Sequence, residues 1–210
     1  MSEDLAPYIQ HNLKLDRKIG MFISGGFDSA LLLYLVNEIN NRTFEKEKNR
    51  STLTVYTVPK YDGSYDHSPN VVKWVNSNIE IKTVGDRDLP HNKQVGSGVK
   101  DVMLSGEQDQ VYIAHTVVHD WMDFPGGLKV VRQENKHPKF IFMPYMDKGL
   151  DKSDTIRLAK DILTVDEFKV LCEITHSCTE TTGKRCGVCW HCQERAWGFK
   201  QAGAIDYGEM

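Results

Sequence analysis

Two groups of side chains carry the residue types and spacings of chemistry. The first is Ser24-Gly25-Gly26-Phe27-Asp28-Ser29, set between a short apolar run, KIGMFI, and a helical pattern that starts at Ser29. Gly25 and Gly26 permit positive φ angles and let a ligand come close to the backbone. The amides of Phe27, Asp28 and Ser29 would then face outward at a helix N-terminus, where the dipole favours an anion. Ser24 and Ser29 add hydroxyl donors. Asp28 sits oddly in a plain anion site, because its carboxylate repels phosphate. It makes sense if a magnesium ion joins the two, or if it caps the helix. No GKS or GKT follows the glycines, so this is not the Walker arrangement.

The second group is Cys178-x₇-Cys186-x₂-Cys189-x₂-Cys192, four of the five cysteines of the chain. A disulfide framework spreads its cysteines along a secreted chain, whereas four thiolates this close suit one tetrahedral zinc ion with no open position. The ligand set would also suit an iron–sulfur cluster. Zinc with four thiolates carries a charge of −2, which Lys184, Arg185 and Arg195 are placed in sequence to offset. The fifth cysteine, Cys172, lies in the apolar stretch FKVLCEI and reads as a small buried hydrophobe.

Strands and helices alternate around these groups. KIGMFI reads as a buried strand and ALLLYLVNEIN as a helix apolar on most sides, the kind found beside a parallel sheet. RTFEKEKNR, residues 42–50, reads as a charged, solvated connection. STLTVYTV is a second strand, YDGSYDHSP a turn, and Ser68-Pro69 a helix start leading into residues 70–78. IEIKTV is a third strand, residues 85–98 a loop, residues 99–108 a helix and VYIAHT a fourth strand. Residues 120–139 form a long irregular segment, residues 140–143 a fifth strand, and residues 153–162 a helix that Asp151 can cap. A last helix is expected near residues 194–201. This alternation predicts an α/β fold: a doubly wound parallel sheet of about five strands with helices on both faces, carrying a small C-terminal metal-binding segment. Ligands of such sheets bind beyond the carboxyl ends of the strands, which puts Ser24–Ser29 at the mouth of the site.

The SGGFDS loop resembles the SGGxDS loop of the PP-loop ATP pyrophosphatases. HSCTETTGKRCGVCWHCQERAWGFKQAG is similar to the C-terminal zinc segment of the 7-cyano-7-deazaguanine synthase family, with Cys186, Gly187, Cys189, Cys192 and Arg195 on the family's C-G-x-C-x-x-C-x-x-R run. MPYMDKGLDKSDTIRLAKD resembles the family's strand and following helix, with Asp151, Lys152, Asp154 and Thr155 on matching positions. The resemblance implies an adenine nucleotide alpha hydrolase-like domain over residues 1–170 and a zinc segment over residues 171–210. It implies ATP, Mg2+ and Zn2+ as cofactors, with Ser24, Asp28 and Lys152 as catalytic residues and Lys152 as a phosphate ligand. ATP would be held by Ser24, Gly25, Gly26, Phe27, Asp28, Ser29 and Tyr56, the adenine edge lying at the second strand near residues 55–58. Zinc would be held by Cys178, Cys186, Cys189 and Cys192. The implied activity is an ATP-dependent carbon–nitrogen ligase that adenylates a carboxylate, releases pyrophosphate and uses ammonia to make an amide and then a nitrile.

The middle of the chain departs from that family. VGSGVKD stands where a VPGRN-like segment is usual, and residues 115–132 replace a D-x-S-G-Y-P-D-C-R-like stretch. The acceptor is therefore open: 7-carboxy-7-deazaguanine, a related heterocycle, a reaction stopping at the amide, or tRNA thiolation. A non-enzymatic zinc module with a relic ATP loop is the alternative from another class. His115, His119, Asp120 and Asp123 sit at the edge suited to substrate contacts, and Asp62, Asp66 and His67 could line a nucleotide pocket. Arg132 and Arg157 could contact substrate or pyrophosphate.

Composition sets the remaining bounds. With 210 residues, 40% hydrophobic and 26% charged, the chain matches one soluble domain with room for an appendage. A net charge of −3 gives no overall basic field, so direct nucleic-acid binding is not expected. The longest apolar run, residues 30–36, is far shorter than the ~18 residues of a membrane span, and MSEDLAPYIQ is too acidic for a secretory signal. These features predict a soluble, cytoplasmic protein. Its expected partners are a small-molecule substrate and ammonia, supplied free or by another protein because no cysteine stands where a glutaminase nucleophile would. A homodimer is compatible with this reading.

Overall fold

The computed structural model describes residues 2–13, 17–47, 51–59, 64–118, 138–181 and 183–208. In chain order the elements are α1 (Ser2–Asn12), β1 (Lys18–Phe22), α2 (Phe27–Glu47), β2 (Thr52–Thr57), α3 (Ser64–Asn76), β3 (Glu80–Thr83), α4 (His91–Ser105), β4 (Gln110–Ile113), β5 (Ile141–Phe142), α5 (Pro144–Asp147), α6 (Lys152–Ile162), α7 (Val165–Ile174) and α8 (Trp190–Gln201).

All five strands are parallel, in the order β3-β2-β1-β4-β5. Met21 of β1 pairs with Val55 of β2 on one side and Tyr112 of β4 on the other. Alternation along β1 divides the core. Ile19, Met21 and Ile23 join the large cluster built with α1, α2, α3, α6, α7 and α8. Phe22 joins Tyr56, Val58, Val111, Ile113 and Val102 of α4 in a smaller cluster on the other face. The chain winds one way from β1 to β3 and then crosses to β4, so a crevice opens beyond the carboxyl ends of β1 and β4. No helix among the described residues is long and apolar enough to cross a membrane.

The α/β class, the strand count and the helix capped by Asp151 agree with the sequence. Four stretches differ. Residues 42–47 continue α2 instead of forming a connection, because Arg42 pairs with Glu38 one turn back and the Thr43 hydroxyl donates to the Ile39 carbonyl. α3 begins at Ser64 and carries Pro69 within it; buried Ser68 faces Thr57 of β2, Oγ to Oγ1, at 3.3 Å. α4 begins at His91 and takes in Gly96 and Gly98. A Cβ at Gly98 would lie 2.8 Å from Val58 Cγ2 and 3.3 Å from Val84 Cγ2, so this glycine lets the helix sit close on the sheet. α7, which no sequence pattern above assigned, spans Val165–Ile174. Its Phe168 and Leu171 belong to the same core as Phe27.

Candidate functional site

The Ser24–Ser29 loop is closed on itself by local hydrogen bonds. Gly25 has φ 75°, the conformation only glycine adopts at little cost. Ser29 Oγ donates to the Gly26 carbonyl at 2.9 Å and accepts from the Ser24 amide at 3.3 Å, while the Gly26 amide donates to Ser24 Oγ at 3.3 Å. From outside, the His176 amide holds the Gly25 carbonyl at 2.9 Å. The Phe27 ring is fully buried, edge-on to Phe199 at 5.6 Å and to Phe168 at 6.1 Å. That anchor fixes the first turn of α2. Phe27 can serve an anion only through its backbone.

The Asp28 side chain reaches across to α6 and does not cap α2. Its Oδ1 accepts from Thr155 Oγ1 at 2.8 Å, and its Oδ2 takes the ammonium of Lys152 in a buried ion pair. It is the counter-ion of Lys152. Burial disfavours the Lys152 charge, but Asp28 and then Glu194 outweigh it, so the ammonium is held above its ordinary range. Lys152 is no solvated lysine: it is 5% exposed at the first position of α6. Asp151 caps that helix, its Oδ1 accepting from the Ser153 amide at 2.7 Å and the Asp154 amide at 3.1 Å, with Asp154 completing a capping box. Tyr145, buried in α5, donates its hydroxyl to the Asp28 carbonyl at 3.3 Å. Burial first and the Asp28 charge second push Tyr145 well up, which keeps it a donor.

These residues border a cleft of about 460 Å³, within the size of small-ligand sites. Ser24, Gly26, Asp28, Ser29 and Lys152 form its floor. Val58, Ile113, Ala114, His115 and Thr116 enter from the ends of β2 and β4, and His176, Ser177, Trp190, His191 and Glu194 from the C-terminal segment. Tyr56 is not among the lining residues. Its side chain packs behind the sheet against Phe22, 5.7 Å between ring centroids, with its hydroxyl accepting from Gln108 Nε2 at 2.7 Å. Its backbone lies within the sheet, where its carbonyl accepts from the Ile23 amide at 2.8 Å. His67 stacks flat on His176, centroids 4.5 Å apart, which brings α3 to the rim; Asp66 is exposed. Asp62, His119, Asp120, Asp123 and Arg132 lie outside the described residues. Arg157 donates to Asp154 Oδ1 at 2.9 Å and to the Gln201 carbonyl at 2.8 Å, tying α6 to the end of α8.

The cysteine cluster adjoins the cleft through Cys178 and Thr179. The four Sγ atoms lie within 4.8 Å of one another, close to the ~3.8 Å edge of a tetrahedron with 2.3 Å metal–sulfur bonds. A cubane cluster places one thiolate on each of four irons and needs its sulfurs farther apart, so the spacing fits a single ion better. Burial opposes a thiolate at Cys178. Hydrogen bonds from Thr181 Oγ1 at 3.2 Å and from the Cys186 and Glu180 amides outweigh it and hold the group down at about 5. Cys189 is lowered too, whereas burial and its neighbours Cys189 and Cys178 push Cys192 up. Four thiolates packed together repel, and a cation satisfies them at once. The donor set therefore fits a metal.

Of the three charges expected to offset that cluster, Arg195 and Arg185 are engaged elsewhere and Lys184 is exposed. Arg195, fully buried, donates to both oxygens of Asp206, to the Cys172 and Thr175 carbonyls and to Thr175 Oγ1, with its guanidinium 5.8 Å from the Phe27 ring centroid. Arg185 donates to Asp206 Oδ2 at 2.6 Å and to the Gly208 carbonyl at 2.5 Å. The sequence reading missed Asp206 and Glu194. The family run points to Arg195, but nothing in the spacing names its partner.

Comparison with known proteins places these features. No curated protein matches the chain. Among solved structures, the U34-tRNA thiolase NcsA from Methanococcus maripaludis with its [4Fe-4S] cluster aligns at 18% identity and TM-score 0.48, over 95% of this chain and 74% of that one. An NMN synthetase from Francisella tularensis aligns at 17% identity and TM-score 0.28, over 50% of this chain and 37% of that one. Both likenesses are too distant to speak to function. A family model does match residues 128–203, the stretch that holds Lys152, Arg195 and all four clustered cysteines, and its likeness is to queuosine biosynthesis protein QueC, the 7-cyano-7-deazaguanine synthase family.

Proposed function

We propose that this protein is an ATP-dependent carbon–nitrogen ligase acting on a heterocyclic carboxylate such as 7-carboxy-7-deazaguanine. The observation that carries the reading is the Ser24–Ser29 loop at the carboxyl end of β1, with Lys152 brought to it by α6 inside one cleft. Ser24, Gly26 and Ser29 would hold the triphosphate of ATP, magnesium when bound would neutralise part of its charge, and the Lys152 ammonium would draw the leaving pyrophosphate. The substrate carboxylate oxygen attacks the α phosphorus as the bond to the β phosphate breaks, giving an acyl adenylate. Ammonia displaces AMP to give the amide. A second adenylation, at the amide oxygen, and loss of AMP give the nitrile. The chain's own part is positioning and charge stabilisation, for which no side-chain nucleophile is needed. Zinc at Cys178, Cys186, Cys189 and Cys192 is structural in this reading.

Thiolation of tRNA is the weaker reading. Four cysteines are gathered in the cluster, and burial pushes the fifth, Cys172, up to about 11, which makes it a poor nucleophile. The test is pyrophosphate release from ATP and magnesium with ammonium and candidate deazaguanine carboxylates, with products read by mass spectrometry. An amide or nitrile product supports the reading. No pyrophosphate release with any carboxylate would overturn it.

A further inference from the structure

We infer that Gly198, in the middle of α8, is the residue that positions Lys152 over the phosphate loop. The inference rests on the reading of Lys152 as a phosphate ligand. Glycine is less favourable than alanine in a helix interior, and α8 gains nothing from it as a helix. Tertiary contact explains it. A Cβ at position 198 would overlap Lys152 Cγ and lie 3.1 Å from Lys152 Cβ and 3.0 Å from Ile156 Cδ1. The aliphatic stem of Lys152 thus crosses α8 in the notch that Gly198 leaves, and α6 and α8 pack closely there.

The notch also aims the charged end. Lys152 is buried, and its ammonium reaches Asp28 of the phosphate loop, 124 residues away in sequence. Glu194, one turn before Gly198 and so on the same face of α8, lines the cleft beside it and is itself buried. One face of α8 therefore supplies both the channel for the stem and a second carboxylate near the ammonium. The same helix starts at Cys189, its N-cap, and carries Cys192 in its first turn. These contacts join the cysteine segment, α8, Lys152 and Asp28 in one continuous chain of neighbours.

The test is a double-mutant cycle of Gly198→Ala and Lys152→Ala, with melting temperature, metal content and pyrophosphate release measured on the full chain. Gly198→Ala alone should lower kcat at least ~tenfold with metal content per chain unchanged, because a displaced stem withdraws the ammonium from the reacting phosphates. It should also lower the melting temperature. In the Lys152→Ala protein the Cγ overlap is gone while the contacts with the residue-152 Cβ and Ile156 remain, and Gly198→Ala should lower the melting temperature by clearly less than it does in the wild type. Failure of Gly198→Ala to fold alone, with folding restored by Lys152→Ala, is the same coupling in its strongest form. An equal loss of stability in both backgrounds, or failure to fold in both, would assign the notch to Ile156 and overturn the inference. So would an unchanged kcat in an active wild-type protein. If the wild-type protein releases no pyrophosphate, the proposed function falls, and the melting cycle still decides the role of Gly198.

Discussion

At the residue scale, the buried Asp28–Lys152 pair separates roles that the loop motif merges. Ser24 lines the cleft and bonds only within its own loop, whereas Asp28 carries the charge that balances a buried ammonium. Ser24→Ala is expected to cut pyrophosphate release sharply while leaving stability near that of the wild type. Asp28→Asn is expected to do the same to activity and to cost about 3 kcal/mol as well, because it removes the carboxylate that pairs directly with the buried Lys152 ammonium. Denaturant melts of the two variants check the difference, and equal stability would show that the pair is not held in solution. Asp206 gives a second residue-level expectation. Burial alone would raise its carboxyl, but Arg195 and then Arg185 hold it below the ordinary aspartate range. A depressed folded-state value contributes stability above the unfolded value of about 3.9, and that contribution is lost as pH falls through the folded one. Melting temperature should therefore drop on acidification below about pH 4. Asp206→Asn should be less stable at neutral pH and show a smaller drop, as a calorimetric series across that window would record.

At the element scale, the C-terminal segment has little apolar material of its own between Thr179 and Arg185, and the thiolates stand in for a core there. Replacing Cys178, Cys186, Cys189 or Cys192 with serine is expected to release one zinc per chain and loosen α8, since Cys189 immediately precedes that helix and Cys192 lies in its first turn. Elemental analysis and hydrogen exchange of α8 test this; full zinc occupancy in Cys189→Ser would show the ligand set to be wrong. Element boundaries were unevenly legible. Asp151 and the helix after it follow from a local capping pattern that the structure reproduces. The same signature, Thr164-x-x-Glu167, opens α7 with a complete capping box, and that signal lay unused in the sequence. The start of α4 was hidden for the opposite reason: Gly96 and Gly98 argue for a loop by propensity, and packing against Val58 overrides them.

At the scale of the whole molecule, the phosphate loop, α6, α8 and the ends of β2 and β4 enclose one cleft, so a ligand bound there engages most of the fold. ATP with magnesium should raise the melting temperature by mass action, by an amount that grows with the logarithm of ATP concentration. GTP should raise it less if backbone at the end of β2 reads the adenine edge. Equal shifts in a thermal melt would mean that only the phosphates are recognised. The sequence by itself determined what local patterns can encode. Alternating strand and helix signals specified a parallel α/β sheet, SGGFDS placed a glycine turn between a strand end and a helix, and the cysteine spacing brought together four thiols that could hold a metal, because each rests on backbone geometry within a few residues. Only the tertiary structure decided the pairing of charges. Lys152 meets Asp28 across 124 residues, Arg195 and Arg185 turn from the thiolates to Asp206, and Tyr56 faces Gln108 and not the cleft. Those outcomes depend on which faces of α6, α8 and the sheet are pressed together, and burial of an unpaired charge is costly enough that packing, not sequence proximity, selects the partner.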